Sequence, residues 1–320
     1  MPLLEVQRLV KHFPVRGGVF NRVIGRVHAV NGVSFSVERG EVVGVVGESG
    51  CGKSTLGKCV IRLLQPTDGE VLYDGEDIAN LGHAAMMPYR RRMQMIFQDP
   101  YSSLNPRLTV KALLKEVLAF HGIVPKAEME GRIAELIEKV GLRPEAAGKF
   151  PHEFSGGQRQ RIGIARALAL EPEFLVADEP VSSLDVSIQA QVLNLMMTLK
   201  EEFGLTLLFI SHDLKVIEHF CDRVLVMYLG YMVEEISCDE LLEKASHPYT
   251  QALLGANPIN DPEERRELVV LQGDVPSPYD LPRGCPFAGR CPLVQDRCRE
   301  EMPPLEQKSV GHPLACWEVE

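Results

Sequence analysis

The sequence predicts an α/β fold built around a mixed β-sheet, and three observations predict it. An apolar run at 42–46 leads into a glycine-rich loop, which is followed by a helical pattern. Two more apolar runs, at 174–178 and 205–210, have the length of buried strands and end in polar residues. Residues 3–10 and 33–38 alternate apolar and polar side chains, as half-buried antiparallel strands do.

Length and charge limit what the chain can be. Its 320 residues suit one large α/β domain with a smaller appendage. The formal net charge of -10 argues against a nucleic-acid partner, because Lys and Arg drive that binding. Apolar runs are too short to span a bilayer, and residues 1–10 lack a secretory signal pattern. We expect a cytoplasmic protein whose eight cysteines are thiols or metal ligands rather than disulfides.

The glycine-rich loop fits the phosphate-binding pattern Gly, four residues, Gly-Lys-Ser. It consists of Gly47, Glu48, Ser49, Gly50, Cys51, Gly52, Lys53, Ser54 and Thr55. Glycines accept positive φ, so successive backbone N–H groups can converge on phosphate oxygens. Lys53 adds a charge for the β and γ phosphates, and Ser54 offers a hydroxyl to Mg²⁺. The same anion site should favour the Cys51 thiolate, so alkylation of Cys51 should block ATP binding.

Other polar or aromatic residues stand at the ends of predicted strands. A Gly- and Arg-rich loop at 16–26 should separate the first two strands, and Phe13 ends the first of them. An aromatic ring there could stack on adenine, although ordinary core packing is the commoner role. Gln98 follows the strand predicted at 93–97 and could reach Mg²⁺ and an attacking water.

A helical insertion is predicted between these strands. Residues 109–121 and 126–140 carry apolar side chains at helical spacing. The insertion ends at Phe154, where Ser155 should cap a helix that runs to Leu170. The free N–H groups of such a helix start suit an anion.

Two carboxylates end the strand at 174–178. Asp178 would orient Mg²⁺ through water if this strand lies beside the phosphate loop, and Glu179 would be free to act as a base. A third acidic residue, Asp185, follows these two a few positions later in the sequence. His212 comes just after the strand at 205–210, on the sheet edge where open α/β folds bind ligands.

Over residues 3 to about 240 the chain resembles the ATP-binding subunits of ATP-binding-cassette (ABC) transporters. The resemblance implies a P-loop cassette with an antiparallel β subdomain and a helical signature subdomain at about 100–170. The family motifs map onto Gly47–Thr55 as Walker A, Phe174–Glu179 as Walker B, Gln98 as the Q-loop, Ser155, Gly156, Gly157 and Gln158 as the signature, Ser183–Asp185 as the D-loop, His212 as the switch histidine and Phe13 as the A-loop aromatic. Phe154 stands where Leu is commonest, at an apolar packing position.

The family mechanism implies that two such subunits sandwich two ATP molecules head to tail. The signature residues of one subunit would face the γ-phosphate held by Lys53 of the other. Glu179 would be the general base, and His212 would contact the γ-phosphate. Mg²⁺ would be held with Ser54, Gln98 and Asp178.

The tail resembles the C-terminal extension of the dipeptide, oligopeptide and nickel importer subfamily. The resemblance rests on His247–Leu254, Pro276–Pro278 and Cys285–Phe287, together with Gln98–Pro106. It implies a cassette at 1–240 and a tail domain at 241–320. Partners would be a paralogous ATPase or a second copy, two permeases and, indirectly, an extracytoplasmic binding protein, at the cytoplasmic face of the membrane.

Other functions stay open at this point. The cargo of such a transporter could be a nickel chelate or another small solute rather than a peptide. A soluble ABC ATPase of translation or DNA repair is the alternative from another class, and a single intact cassette with an acidic charge argues against it. A redox role for the tail is argued against by the complete set of hydrolysis motifs.

Four cysteines lie in the tail, namely Cys285, Cys291, Cys298 and Cys316. Their spacing fits neither the short zinc pattern nor the ferredoxin pattern, so it names no metal and leaves unliganded thiols possible. Resemblance to the dipeptide-importer ATPases implies a [4Fe-4S] cluster, with zinc as the alternative. Cys59, Cys221 and Cys238 should be ordinary buried residues.

Overall fold

The fold was obtained as a computed structural model that describes residues 1–18, 20–255, 273–309 and 311–319. The segment 256–272 of the predicted tail lies outside the described residues. Its strands are β1 (Leu4–Gly17), β2 (Arg22–Val37), β3 (Val42–Val46), β4 (Asp68–Tyr73), β5 (Glu76–Asp77), β6 (Met93–Ile96), β7 (Phe174–Asp178), β8 (Thr206–Ile210), β9 (Arg223–Tyr228), β10 (Tyr231–Ser237), β11 (Glu306–Ser309) and β12 (His312–Leu314).

The helices lie between the strands along the chain, singly or in runs, with short 3-10 helices between some of them. They are α1 (Lys53–Val60), α2 (His83–Arg92), α3 (Pro100–Ser103), α4 (Val110–His121), α5 (Met129–Lys139), α6 (Gly156–Leu168), α7 (Val186–Phe203), α8 (Leu214–Phe220), α9 (Leu241–Lys244), α10 (Pro248–Gly255) and α11 (Asp296–Glu300). None of the helices in the described ranges is both long and apolar enough to cross a membrane.

The chain divides into two compact units. The first contains residues 1–38, 42–80 and 211–320, and the second contains 39–41 and 81–210. The tail therefore belongs to the same unit as the phosphate loop. The boundary predicted near residue 240 stays a prediction.

The first unit contains an antiparallel sheet and a second group of paired strands. The antiparallel sheet has the order β2-β1-β4-β5. In the other, the order is β11-β12-β10-β9-β3, and β3 runs parallel to β9. Every residue of β3 is buried, which fixes the start of the phosphate loop at the end of a rigid strand.

The loop predicted at 16–26 is wrong, because β1 and β2 continue through it as one hairpin. Arg16 pairs with Val23 and Gly17 with Arg22. Backbone hydrogen bonds hold this extension, and its side chains are mostly polar or glycine, so no apolar alternation marked it as strand. The tail reaches the hairpin, since the Tyr279 hydroxyl donates to the Ile24 carbonyl at 3.1 Å.

The second unit places three parallel strands in the order β8-β7-β6. The helical insertion is confirmed as α4 and α5, and the apolar residues at helical spacing are its buried face. Helix α2 was not predicted, because Pro88 lies inside it and a single residue, Met86, is buried. The three arginines 90–92 form its last turn.

Candidate active site

The phosphate loop has the backbone shape that its glycines allow. Gly47, Gly50 and Gly52 have φ of 154°, 80° and 108°, which confirms the predicted positive values. A Cβ at Gly47 would lie 2.1 Å from the Met227 carbonyl oxygen, and one at Gly52 would lie 2.1 Å from that of Ala29. Two of the glycines are therefore required by close backbone contact as well as by φ.

Lys53 begins helix α1 and is 4% exposed. Its Nζ donates to the carbonyl oxygens of Gly47 at 2.6 Å and Glu48 at 3.1 Å. The ammonium group thus lies inside the loop, where an anion bound by the loop N–H groups would meet it.

The direction predicted for the pKa shift of Cys51 is wrong. Cys51 is 3% exposed, and burial raises the pKa of its thiol even though Lys53 Nζ lies 3.9 Å from its Sγ. Desolvation of the thiolate outweighs the attraction of the nearby charge. The effect of Cys51 alkylation on ATP binding stays a prediction. Cys59, Cys221 and Cys238 are buried, as expected.

Two other predicted residues of the first unit lie as follows. Phe13 is half-buried, and Lys11 Nζ lies 4.8 Å from the centre of its ring. His212 is exposed. It lies between Ser211, whose N–H donates to the Val45 carbonyl at 3.1 Å, and Asp213, whose side chain caps α8. Rigid neighbours on both sides therefore fix the backbone at His212.

In the second unit, the structure brings two of the predicted catalytic residues into contact. Gln98 Nε2 donates to Glu179 Oε2 at 3.0 Å. Asp178 ends β7 and is 2% exposed, and Glu179 is half-buried. Glu179 has φ of 45°, a left-handed conformation that costs a non-glycine residue about 1–3 kcal/mol and is found mainly at functional sites.

The surrounding backbone holds Glu179 in this conformation. Its N–H donates to the Ile210 carbonyl at 3.0 Å, and the Ser182 hydroxyl donates to the Glu179 carbonyl at 3.1 Å. Strand β8 and the turn after Glu179 therefore fix the backbone of this residue, and Gln98 orients its carboxylate.

The predicted signature forms a capped helix start. The Ser155 hydroxyl accepts from the Gln158 N–H, and the Gln158 side chain accepts from the Ser155 N–H, so Ser155 is confirmed as the N-cap of α6. A Cβ at Gly157 would lie 2.4 Å from Ile188 Cγ2, and one at Gly156 would lie 3.2 Å from Leu184 Cδ2. Both glycines let α6 approach the segment around Asp185, which is itself exposed. Phe154 is buried, as an apolar packing position should be.

The four tail cysteines line one cavity, together with His247, Phe287 and Trp317. The nearby backbone N–H groups of Phe287, Leu293 and Glu318 act to lower the pKa of Cys285, Cys291 and Cys316, but their effect is smaller than that of burial. Burial nevertheless raises the pKa of these thiols, that of Cys285 to about 11. Within the described part of the chain, no group of three or more His, Cys, Asp or Glu is arranged to hold a metal ion. The structure gives the iron–sulfur prediction no support beyond the shared cavity, and it stays a prediction.

One contact to the phosphate loop was not predicted from the sequence. The Glu48 carboxylate accepts two hydrogen bonds from the Arg290 guanidinium, at 2.7 and 3.0 Å. The Glu48 N–H donates to the Tyr249 hydroxyl at 2.8 Å. Arg290 lies 242 residues from Glu48, and no local pattern links residues so far apart.

Comparison with known proteins agrees with this arrangement. Residues 30–182 match the family model for the ABC transporter, and residues 233–298 match the model for the oligopeptide/dipeptide transporter, C-terminal region. The oligopeptide transport ATP-binding protein AppF of Bacillus subtilis is 52% identical over 317 residues, which cover 98% of this chain and 96% of AppF. The chain belongs to the ABC transporter family.

Other relatives extend the comparison to sequence and fold. The probable peptide ABC transporter ATP-binding protein y4tS of Sinorhizobium fredii is 52% identical over 98% of this chain and 89% of its own length. The dimeric structure of a bacterial ABC transporter cassette superposes with a TM-score of 0.65 and 29% identity, over 73% of this chain and 98% of that one. The predicted α/β cassette fold is confirmed, and the ABC protein is an ATPase.

Proposed function

We propose that this ABC protein is the ATP-hydrolysing subunit that powers peptide import through a membrane transporter. The observation that carries the proposal is the presence, in one chain, of the ATPase motifs and of a tail that matches the oligopeptide/dipeptide transporter region. AppF and y4tS, which the chain resembles along nearly its whole length, carry peptide transport in their names. The cargo would pass through the permeases and not contact this subunit. The assignment of peptides as the cargo is therefore supported by these comparisons alone.

The ATP site would be formed by residues with distinct roles. Lys53 and the N–H groups of loop 47–55 bind the phosphates, since the loop has the required backbone shape. Glu179, oriented by Gln98, takes a proton from the attacking water. Mg²⁺ would be held by Ser54, Gln98 and Asp178, and it would neutralise charge that develops on the phosphates.

The remaining assignments follow the family motifs. Phe13 stacks on adenine and His212 contacts the γ-phosphate. Ser155, Gly156, Gly157 and Gln158 act on the ATP held by the partner ATPase, and Asp185 belongs to the D-loop beside them. The exposed, capped start of α6 supports the signature role, because its N–H groups can face an anion.

The partner ATPase would be a paralogous subunit or a second copy of this chain. A dimeric cassette among the solved structures supports dimer formation, and this chain carries both the loop and the signature. Two permeases and, indirectly, an extracytoplasmic binding protein complete the importer. The protein would lie on the cytoplasmic face of the membrane, with a cassette at 1–240 and a tail at 241–320.

Co-purification from gently solubilised membranes of the native host tests this function. We expect the tagged protein to bring down two permeases, and with them a sister ATPase or further copies of itself. Ribosomal proteins or DNA-repair factors in their place would contradict the proposal and favour a soluble ABC ATPase.

We further propose that the tail cysteines hold a [4Fe-4S] cluster, with zinc as the alternative. The proposal is supported by the four thiols that line one cavity. A bound cluster or zinc would add folding energy to the tail.

Metal analysis of anaerobically purified protein tests the cysteine proposal. We expect about four iron and four sulfide per chain, because a [4Fe-4S] cluster contains four of each and is held by four cysteines. Cys298→Ser should lose most of the iron, whereas the matched variant Cys59→Ser, outside the tail, should keep it. Protein with neither iron nor sulfide would contradict the cluster, and stoichiometric zinc would establish the alternative.

A further inference from the structure

The tail contacts the phosphate loop through an ion pair between Arg290, which is nearly buried, and Glu48, whose side chain is 26% exposed. The Arg290 side chain is 8% exposed, and two of its nitrogens donate to the two oxygens of Glu48 at 2.7 and 3.0 Å. Arg290 also donates to the Tyr228 hydroxyl at 3.3 Å. A planar guanidinium that is bonded in this bidentate way fixes the position of its carboxylate more firmly than a point charge does.

A second contact holds the backbone of the same loop residue. The Glu48 N–H donates to the hydroxyl of Tyr249, which is fully buried. The Tyr249 ring packs against Tyr228 and Phe287, with ring centres 4.7 and 5.4 Å apart. Phe287 follows Cys285 closely in the tail, so the cysteine-bearing segment supports both contacts to Glu48.

Through Glu48, these contacts affect both the position of Lys53 and the net charge of the phosphate loop. The Glu48 carbonyl accepts from Lys53 Nζ at 3.1 Å, so a shift of Glu48 displaces a group that touches the lysine. The Glu48 carboxylate is itself a negative charge within the phosphate loop. Without its Arg290 partner, that charge would repel the phosphates of ATP.

We propose that Arg290 is a positioning residue of the ATP site, which holds and neutralises Glu48 so that the phosphate loop can bind ATP. The tail therefore supports the nucleotide site, and we call this support of Glu48 by Arg290 and Tyr249 the brace. This inference rests on the proposed assignment of loop 47–55 to ATP. A purely structural role for Arg290 would lower the melting temperature of the protein and leave the ATP affinity of the folded protein unchanged.

Arg290→Met removes the charge and keeps much of the side-chain volume. We expect the Kd and KM for ATP to rise roughly tenfold, because a bond to a charged group is lost, while kcat at saturating ATP is retained. Arg290→Lys should recover part of the affinity. The double variant Arg290→Met with Glu48→Gln should bind ATP more tightly than Arg290→Met alone, since the uncompensated charge is then gone.

The controls separate this inference from the site assignment. Arg283→Met, an exposed arginine of the same tail, should keep the wild-type Kd. An unchanged Kd in Arg290→Met, beside a large loss in Lys53→Ala, would overturn the brace and leave the loop assignment intact. Wild-type ATP binding by Lys53→Ala would overturn the assignment itself. If Arg290→Met does not fold, Tyr249→Phe removes one hydroxyl, and a wild-type Kd in that variant would overturn the brace.

Discussion

Glu179→Gln is expected to lower ATP hydrolysis by roughly 10²- to 10⁴-fold, because an amide cannot accept the proton of the attacking water. ATP binding should survive, since the phosphates are assigned to loop 47–55. The left-handed backbone at Glu179 is held by hydrogen bonds from its main chain to Ile210 and from the Ser182 hydroxyl to its main chain, and glutamine can keep both. The measurement is phosphate release at saturating ATP, together with the Kd for ATP of the same preparation.

A matched control makes this result specific. Glu201→Gln changes an exposed glutamate on helix α7 and should leave both quantities near the wild-type values. Gln98→Ala removes the hydrogen bond that orients Glu179 and should lower kcat less than Glu179→Gln does. Normal turnover in Glu179→Gln would remove Glu179 from the role of general base.

Lys53→Ala is expected to weaken ATP binding by roughly 10²-fold, since hydrogen bonds to a charged group contribute about 1.5–3 kcal/mol each. The Lys53 ammonium is buried within the loop, and its carbonyl partners on Gly47 and Glu48 would lose their donor. The loss of binding free energy for ATP should be far larger than the loss of free energy of unfolding. Equilibrium titration with ATP and Mg²⁺ measures the first quantity, and a melting curve measures the second.

Lys58→Ala serves as the comparison for Lys53→Ala. Lys58 lies on the same helix, α1, outside the phosphate loop, so the helix loses a lysine in both variants. We expect Lys58→Ala to bind ATP as the wild type does. If the two variants bind ATP equally well, the phosphates are not bound where the loop geometry places them.

Local chemistry made the phosphate loop and the strand-end acids predictable. Glycines at Gly47, Gly50 and Gly52 are needed for positive φ, and a carboxylate after a buried strand marks the edge where such folds bind ligands. Short-range patterns carry this information. The contact between Gln98 and Glu179 was not predicted, although each residue was placed after a strand; the parallel pairing of β6 with β7 brings the two side chains together.

Other features depend on burial, backbone pairing or tertiary contacts that the local pattern of side chains does not show. Cys51 lies in an anion-binding loop, and its burial reverses the direction of the expected pKa shift. The extension of β1 and β2 through residues 16–26 is held by backbone pairing that side-chain pattern does not show. Arg290 reaches Glu48 only through the folding of the tail, so no motif in either segment predicts their pairing.

We propose that ATP hydrolysis by this chain drives peptide import. The most direct measurement is uptake of labelled peptides into vesicles that contain the co-purified transporter, with ATP supplied on the side of this subunit and the binding protein on the other. The account predicts uptake that requires ATP and is abolished when this subunit carries Glu179→Gln. Peptide uptake that continues at the wild-type rate with Glu179→Gln would contradict it.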